Sequence, residues 1–394
     1  MAPPKKKATA GKRRAIAEVE RHRVWVAAGG RCTVCRKYLL EGALSKLPFR
    51  LGELAHIVGQ QDSDASPRGT AEVMSHADRD RAENLMLVCA GEHQEIDRQG
   101  AVELFTVEDL RSRKARNEDW IRHVTGLSPE DTTAVVRLLG DVRGNAVELD
   151  RATAAAAVIR GDERWPDFPL AFARDGVEVD LRGLPGENPV QDGYWTTATA
   201  MIDRDVARLA EGVRDGRVVH VSVFAFARLP LLVHLGSRLD DAYGVTVYQR
   251  HRSTQGWDWP AGGVDVAFRT VPPAVADNRE DAVFLVNVSG TVQPGELPQP
   301  LRSLPRYLLE PVGVTPHPDV VATPASLRSF EVAVRSLLAD VEARHKHLRR
   351  LHLVAAAPVS ACVVLGRTRD PHVHPAFTVY DRTDNTYTPA LEIA

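Results

Sequence analysis

Apolar positions recur along this chain with two different periods. In KRRAIAEVERHRVWVAAGG (residues 12–30), Ile16, Val19, Val24 and Val26 fall roughly one helical turn apart, and Gly29 and Gly30 end the run, which predicts a helix. LGELAHIV (51–58) and NLMLV (84–88) read as two short strands, the second leading into CAGEHQEIDRQG (89–100), a turn and the start of a helix. Thr106 is placed to cap VEDLRSRKARNEDWIRHV, with Asp109 at the capping-box position and Gly126 at the far end. Residues 127–164, with most of the Ala-rich RATAAAAVIRGDERWP, read as a helical connector. From about residue 165 the pattern changes. β-Branched runs (VVHVSVFAF, VTVYQR, AVFLVNVSG, FTVYD) alternate with long helical segments (TTATAMIDRDVARLAEGV, SLRSFEVAVRSLLADVEARHKHL), which predicts an α/β domain.

That second region repeats itself. Residues 218–250 and 351–382 each run from an apolar strand through a small-residue and proline turn to Leu-Gly and then Thr-Val-Tyr-x-Arg, and each follows a long helix. Two related halves would place a pseudo-twofold crevice beyond the carboxyl ends of their strands, where open α/β sheets bind ligands.

Size and charge sharpen the division. At 394 residues the chain exceeds the size at which one core keeps growing, so two domains are expected. Residues 1–125 carry 22 Lys and Arg against 18 Asp and Glu, and the remainder 28 against 34, so the N-terminal part is the better partner for a polyanion. Four cysteines in a chain of this length make no disulfide framework, which fits a reducing compartment. No apolar run approaches the roughly 18 residues that span a bilayer, and the basic start MAPPKKKATAGKRR lacks a signal-peptide core. A cytoplasmic protein without membrane contact is expected, its basic start a solvated tail or an arm on DNA phosphates.

Candidate chemistry concentrates early. Cys32 and Cys35 form a Cys-x-x-Cys knuckle that brings two thiolates within reach of one tetrahedral zinc, and Cys89 is a third ligand arriving from the second strand. The fourth ligand is open between Glu92 and His93. His56, Asn84, His93 and Asp97 suit phosphodiester hydrolysis: a histidine to activate water, an asparagine amide to hold its loop, and His-x-x-x-Asp on one helix face to grip a divalent metal.

With CTVC, ELAHIV, ENLMLVC and EHQEID in this order, residues 20–126 resemble the HNH endonuclease family and its ββα-metal motif. The resemblance implies His56 as general base, Asn84 as positioning residue, and His93 with Asp97 at a catalytic Mg2+. Relatives often carry Cys or His where Glu92 stands, and a carboxylate or histidine where Ala55 stands. Glu92 therefore completes a three-cysteine zinc site, or His93 is drawn to the zinc, or the zinc is weakly held.

Residues 165–394, through HVSVFAFARLPLLVHLG, VTVYQRHRSTQGWDWP and FTVYDRTDNTYTPALEIA, resemble the SAVED domain, a sensor of two fused CARF-like, Rossmann-like halves. The expected organisation is a basic tail and start of the first helix (1–19), an α+β HNH domain (20–126), a helical connector (127–164) and an α/β SAVED domain (165–394). HNH joined to SAVED resembles effector nucleases of bacterial CBASS anti-phage systems. It implies a double-stranded DNA endonuclease switched on by a cyclic dinucleotide such as a cGAMP isomer and acting as a homo-oligomer, dimer going to tetramer.

Phosphates call for arginine and purines for flat side chains, so Arg228, Arg250, Arg252 and Arg367, with Tyr194, Trp195, Trp257 and Trp259, are the candidate nucleotide contacts. GxxxxGK[ST] is absent, which argues against an ATP-driven nuclease. A DNA-binding regulator with an inactive HNH module and an RNA-cutting nuclease are the alternative readings.

Overall fold

A computed structural model describes residues 15–42, 44–98, 100–128, 130–169, 176–191, 193–239, 241–273 and 279–394. The basic start, residues 1–14, lies outside them, and so does the tail or DNA arm expected of it. The chain divides into two compact units, Met1–Gly126 and Leu127–Ala394. Among the described residues no helix is long and apolar enough to cross a membrane.

The N-terminal unit begins with α1 (Glu18–Ala27), closed where Gly29 and Gly30 take positive φ and the Gly30 amide bonds back to the Trp25 carbonyl at 3.1 Å. Two strands, β1 (Gly52–His56) and β2 (Leu85–Cys89), pair antiparallel with Gly52 opposite Cys89 and His56 opposite Leu85. The short α2 (His76–Arg79) lies in the long crossover between them, and α3 (Ala90–Ile96) and α4 (Val107–Gly126) follow. Thr106 does cap α4, its hydroxyl accepting the Asp109 amide at 3.1 Å. Asp109 itself turns to Arg113 rather than back to the cap.

The all-apolar run of β2 is buried on both faces, and α1 packs on this core with Val24 buried and Trp25 half-buried beside it. Val19 and Val26, expected on the same stripe, are 63% and 77% exposed. A two-stranded sheet is too narrow to cover more of the helix.

The C-terminal unit is built twice from one plan. Its first half runs β3 (Thr132–Gly140), α5 (Arg151–Asp162), β4 (Trp165–Asp167), β5 (Val177–Leu181), α6 (Tyr194–Arg214), β6 (His220–Phe226), α7 (Leu229–Ser237) and β7 (Gly244–Val247). The second runs β8 (Phe268–Val271), β9 (Asp281–Asn287), β10 (Arg306–Pro311), α8 (Pro324–Arg344), β11 (Arg350–Ala356), α9 (Val359–Arg367), β12 (Ala376–Thr383) and β13 (Thr386–Ile393). The strands β5-β3-β6-β7 are parallel neighbours in one sheet and β10-β9-β11-β12 are parallel neighbours in the other. β8 and β13 add antiparallel edges to the second sheet.

This corrects the expected connector. Residues 132–140, TTAVVRLLG, are not helical but form the strand with sheet partners on both sides, which a β-branched run bounded by turns favours. The Ala-rich segment is α5, capped by Asp150, whose carboxylate accepts the Thr153 amide at 2.6 Å. The compact C-terminal unit therefore starts at Leu127, not near residue 165.

The two Leu-Gly pairs of the repeat mark where α7 and α9 cross. A Cβ on Gly236 would lie 2.0 Å from the Val363 carbonyl oxygen, and one on Gly366 would lie 1.9 Å from that of Val233. The contact is reciprocal: each glycine meets the carbonyl three residues before the other. Only hydrogen fits there, which is why both copies keep glycine.

Candidate functional site

Asn84 ends the crossover just before β2 and is buried. Its Oδ1 accepts the Val58 amide at 2.9 Å, while its Nδ2 donates to the Val58 carbonyl at 2.8 Å and the Arg79 carbonyl at 3.0 Å. The side chain thus clamps the loop leaving β1 two residues beyond His56.

His56, at the end of β1, bonds through Nε2 to Asp80 Oδ1 at 3.0 Å, and Gln60 donates to the same carboxylate oxygen at 3.0 Å. Burial holds the His56 pKa below its ordinary value, against the pull of Asp80. A neutral ring bonded this way carries its proton on Nε2 and keeps the lone pair on Nδ1, the form a general base requires.

His93 and Asp97 share one end of α3, with Nε2 and Oδ2 3.3 Å apart. The other ring nitrogen meets Glu53 of β1 at 2.6 Å. Hydrogen bonding to Asp97 and then to Glu53 raises the His93 pKa despite its burial. A divalent cation replacing the ring proton would find nitrogen and carboxylate donors at His93 and Asp97.

Two buried arginines build the crossover from inside. Arg68 donates to the Ile57 and Ile96 carbonyls, each at 2.8 Å, and to Asp97 Oδ1 at 2.5 Å, so one guanidinium ties the histidine loop to the end of α3. Arg79, fully buried, donates to the carbonyls of Gly59 at 2.5 Å and Gly69 at 2.9 Å. Sequence reading missed both, along with Asp80 and Glu53, because a charged residue in a polar loop looks like solvated surface. The one available signal was the length of the crossover, too long to hold its shape without internal struts.

The thiols of Cys32, Cys35 and Cys89 lie within 4.8 Å of one another, the one such group of potential metal ligands among the described residues. Cys35 and Cys89 sulfurs are 3.8 Å apart. Zinc–thiolate bonds of about 2.3 Å in a tetrahedron put sulfurs at roughly this separation, so the donors fit zinc. Burial, with the neighbouring thiols, pushes the Cys35 pKa up to about 12, a penalty that a cation among the sulfurs reverses. The knuckle is shaped by the Cys32 amide on the Lys37 carbonyl and by Arg36 at φ 63°. Glu92 does not join this group, and His93 faces carboxylates instead of thiols. The three cysteines stand together without either expected fourth ligand.

In the C-terminal unit, the variable position of Thr-Val-Tyr-x-Arg is the one that reaches across the repeat. Gln249 after β7 accepts from the Ser360 amide at 3.2 Å and hydroxyl at 2.7 Å, at the start of α9. Asp381, its counterpart in β12, accepts from Arg228 at 2.6 Å, at the N-cap of α7.

Arg228 also donates to Glu187 at 2.7 Å, and Glu187 in turn takes the amides of Arg143 and Gly144 at 2.7 and 2.9 Å. Arg228 is therefore buried and fully engaged, a correction to its expected place on a phosphate. Trp257 is likewise core, edge-on to Phe224, which stacks on Tyr248. Tyr194 is buried with its hydroxyl unpaired, its pKa pushed up to about 12 by burial. Trp195 lies half-buried, edge-on to Tyr194.

The remaining four candidates stay partly open. Arg250 follows β7 with Nε unpaired and its guanidinium over the Phe226 ring, and Arg252 beside it is exposed. Arg367, bonded to Asp241 at 3.1 Å, and Trp259 line one cavity of about 230 Å³ between β7, α8 and α9.

A family model now matches this second unit: the SMODS-associated and fused to various effectors sensor domain, SAVED, over residues 202–393. The match lies wholly within the C-terminal unit. Similar solved structures include the Acinetobacter baumannii Cap4 SAVED/CARF-domain containing receptor with the cyclic trinucleotide 3'3'3'-cAAA, at 15% identity over 77% of this chain and 64% of that one, TM-score 0.43. The Moraxella osloensis Cap4 SAVED/CARF-domain containing receptor is similar at 14% identity over 77% and 64%, TM-score 0.40. The chain spans less than two thirds of the length of these structures. No curated protein matches the chain. The matched stretch begins inside α6, so β3 and β5 precede it in sequence although they belong to the same sheet as β6.

Proposed function

We propose that the chain is a cyclic-oligonucleotide-activated, metal-dependent endonuclease of the HNH type that cuts double-stranded DNA in bacterial anti-phage defence. The SAVED match supports the sensor half of this reading. The nuclease half rests on one set of contacts above the others: His56, bonded to Asp80 at the end of β1 where Asn84 clamps the loop that follows, belongs to the same ββα unit as the His93–Asp97 pair.

In this mechanism His56 Nδ1 takes the proton of the attacking water while Asp80 steadies the imidazolium that forms. Arg68 fixes the His56 loop to α3, so base and metal donors keep their spacing. His93 and Asp97 would hold a divalent ion such as Mg2+, which would supply positive charge to stabilise the phosphorane and the leaving oxygen. Cys32, Cys35 and Cys89 would hold zinc, which would fasten the knuckle to the end of β2. In the sensor half, Arg250 and Arg252 are the phosphate contacts, and Arg367 with Trp259 forms a second candidate patch. Ligand shifts subunits into an oligomer in which two nuclease units supply the two scissions of a duplex.

The test is to incubate plasmid and total RNA with the protein, Mg2+ and a panel of cyclic di- and trinucleotides. Plasmid loss that needs one member of the panel and disappears in His56→Ala supports the reading. RNA loss with intact plasmid, or no cutting with any ligand while duplex is still bound, would replace it with the corresponding alternative.

A further inference from the structure

Between the cysteine knuckle and β1, residues 38–42 and 44–50 expose apolar side chains that a small folded unit ordinarily hides. Tyr38 and Leu40 are each 43% exposed, Phe49 50%, Leu47 64% and Leu44 100%. The segment is nonetheless shaped: Glu41 bridges Pro48, the Gly42 amide bonds to the Leu47 carbonyl and the Lys46 amide to the Gly42 carbonyl, each at 3.0 Å. A Cβ on Gly42 would come within 2.6 Å of the Phe49 ring, so glycine lets the ring close the turn and leaves Leu44 at its tip.

Around this tip, residues 31–50 carry five basic side chains, all exposed, and one acid, Glu41. The opposite end of the segment enters β1 at Gly52, one residue before Glu53, the partner of His93.

We propose that this loop is a DNA grip: Leu44 and Leu47 press between base steps in the minor groove while Lys37, Lys46 and Arg50 hold the flanking phosphates. Charge complementarity selects the occupant, since a net positive rim around an apolar tip matches a duplex with its charged backbone and apolar stacked bases. A preformed turn makes the insertion cheap, because little ordering remains to be done on binding. Wedging kinks the duplex and fixes the strand relative to β1, whose far end carries His56. This inference rests on the nuclease reading and adds to it the surface that seats the substrate.

The experiment measures anisotropy of a labelled duplex against full-length protein in buffer without added divalent metal, across salt and with the cyclic-nucleotide panel, alongside a duplex with end-to-end energy-transfer dyes. Leu44→Ser with Leu47→Ser is expected to weaken binding about tenfold and abolish bending while leaving the salt slope and melting temperature unchanged. Lys37→Glu with Lys46→Glu is expected to flatten the slope by about 2, one for each phosphate no longer held.

If both variants bind and bend DNA like the wild type while His56→Ala still abolishes cutting, the grip is wrong and the nuclease reading survives. If the Leu44/Leu47 variant changes only the mass seen by light scattering, or only sedimentation with anionic lipid vesicles, the loop serves a second copy or a membrane and the grip is also wrong. Failure of the nuclease reading looks different: wild-type protein neither binds nor cuts duplex with any ligand.

Discussion

The two units solve the problem of order in opposite ways. The N-terminal unit has a small core around Val24, Leu39, Ile57, Leu85, Leu87 and Ile96, and holds its long crossover with buried polar side chains that bond to backbone: Asn84, Arg68 and Arg79. Each is a point of failure, since a buried amide or guanidinium that loses its partner costs more than the bond itself contributed. The C-terminal unit spreads its stability over two sheets with parallel centres and the apolar faces of α6 to α9, and two of its buried polar contacts tie one half to the other. A unit built on points can place a few atoms closely for chemistry. A unit built on repeated layers can shift as two halves.

The largest break in this comparison is His56→Ala. Cleavage should fall about 10²–10⁴-fold while the N-terminal unit still gives a cooperative melting transition, because the ring supplies the base and Asn84 holds the loop. Its pH profile sharpens the point. Since burial lowers the His56 pKa, the rate should hold through neutral pH and decline only below the ordinary imidazole value of about 6.5. Asp80→Asn, which removes a group that raises that pKa, should move the acid limb further down and lower the plateau, read from initial rates on plasmid.

Asn84→Ala comes next. It strands the Val58 amide and two carbonyls, and should cost the N-terminal unit about 2–4 kcal/mol while the C-terminal calorimetric transition stays in place. A shift of both transitions together would mean that the units do not unfold separately.

Gly236→Ala and Gly366→Ala test the repeat. Each puts a methyl group against a carbonyl, and each should cost the C-terminal unit about 1–3 kcal/mol by denaturant melting. Unequal losses would mean that the crossing is less symmetric than the reciprocal distances.

Glu92→Ala should be the smallest, within about 0.5 kcal/mol and with zinc content by elemental analysis unchanged, whereas Cys89→Ser releases the metal. Loss of zinc from the Glu92 variant would restore it as a ligand.

Much of this was legible in the sequence where the determinant is local. ELAHIV and NLMLV are strands because alternation and an apolar run specify them, and Asn84 reaches its loop because the two strands pair in the register those runs allow. What stayed hidden depends on distant partners. Arg68 and Arg79 are buried only because carbonyls from residues 57–96 converge on them. β3 was hidden because α5 and β4 separate it from the rest of its half, so the repeat was visible only from β6 onward. Gln249 and Asp381 occupy the one variable position of Thr-Val-Tyr-x-Arg, where the match between copies carries no signal. Trp257 and Tyr194 read as platforms, yet large aromatic side chains in an α/β unit fill its core.

The glycine crossing also sets a clock on synthesis. α7 is buried from Pro230 to Gly236 and meets its partner only when α9 has been made, with Gly366 standing 130 positions after Gly236. At about 5–20 residues per second the ribosome leaves that surface uncovered for roughly 6–26 s on every chain it makes. Through that interval the first half is finished in sequence and unfinished in packing, and the cell must keep it from finding the same helix on a neighbouring nascent chain.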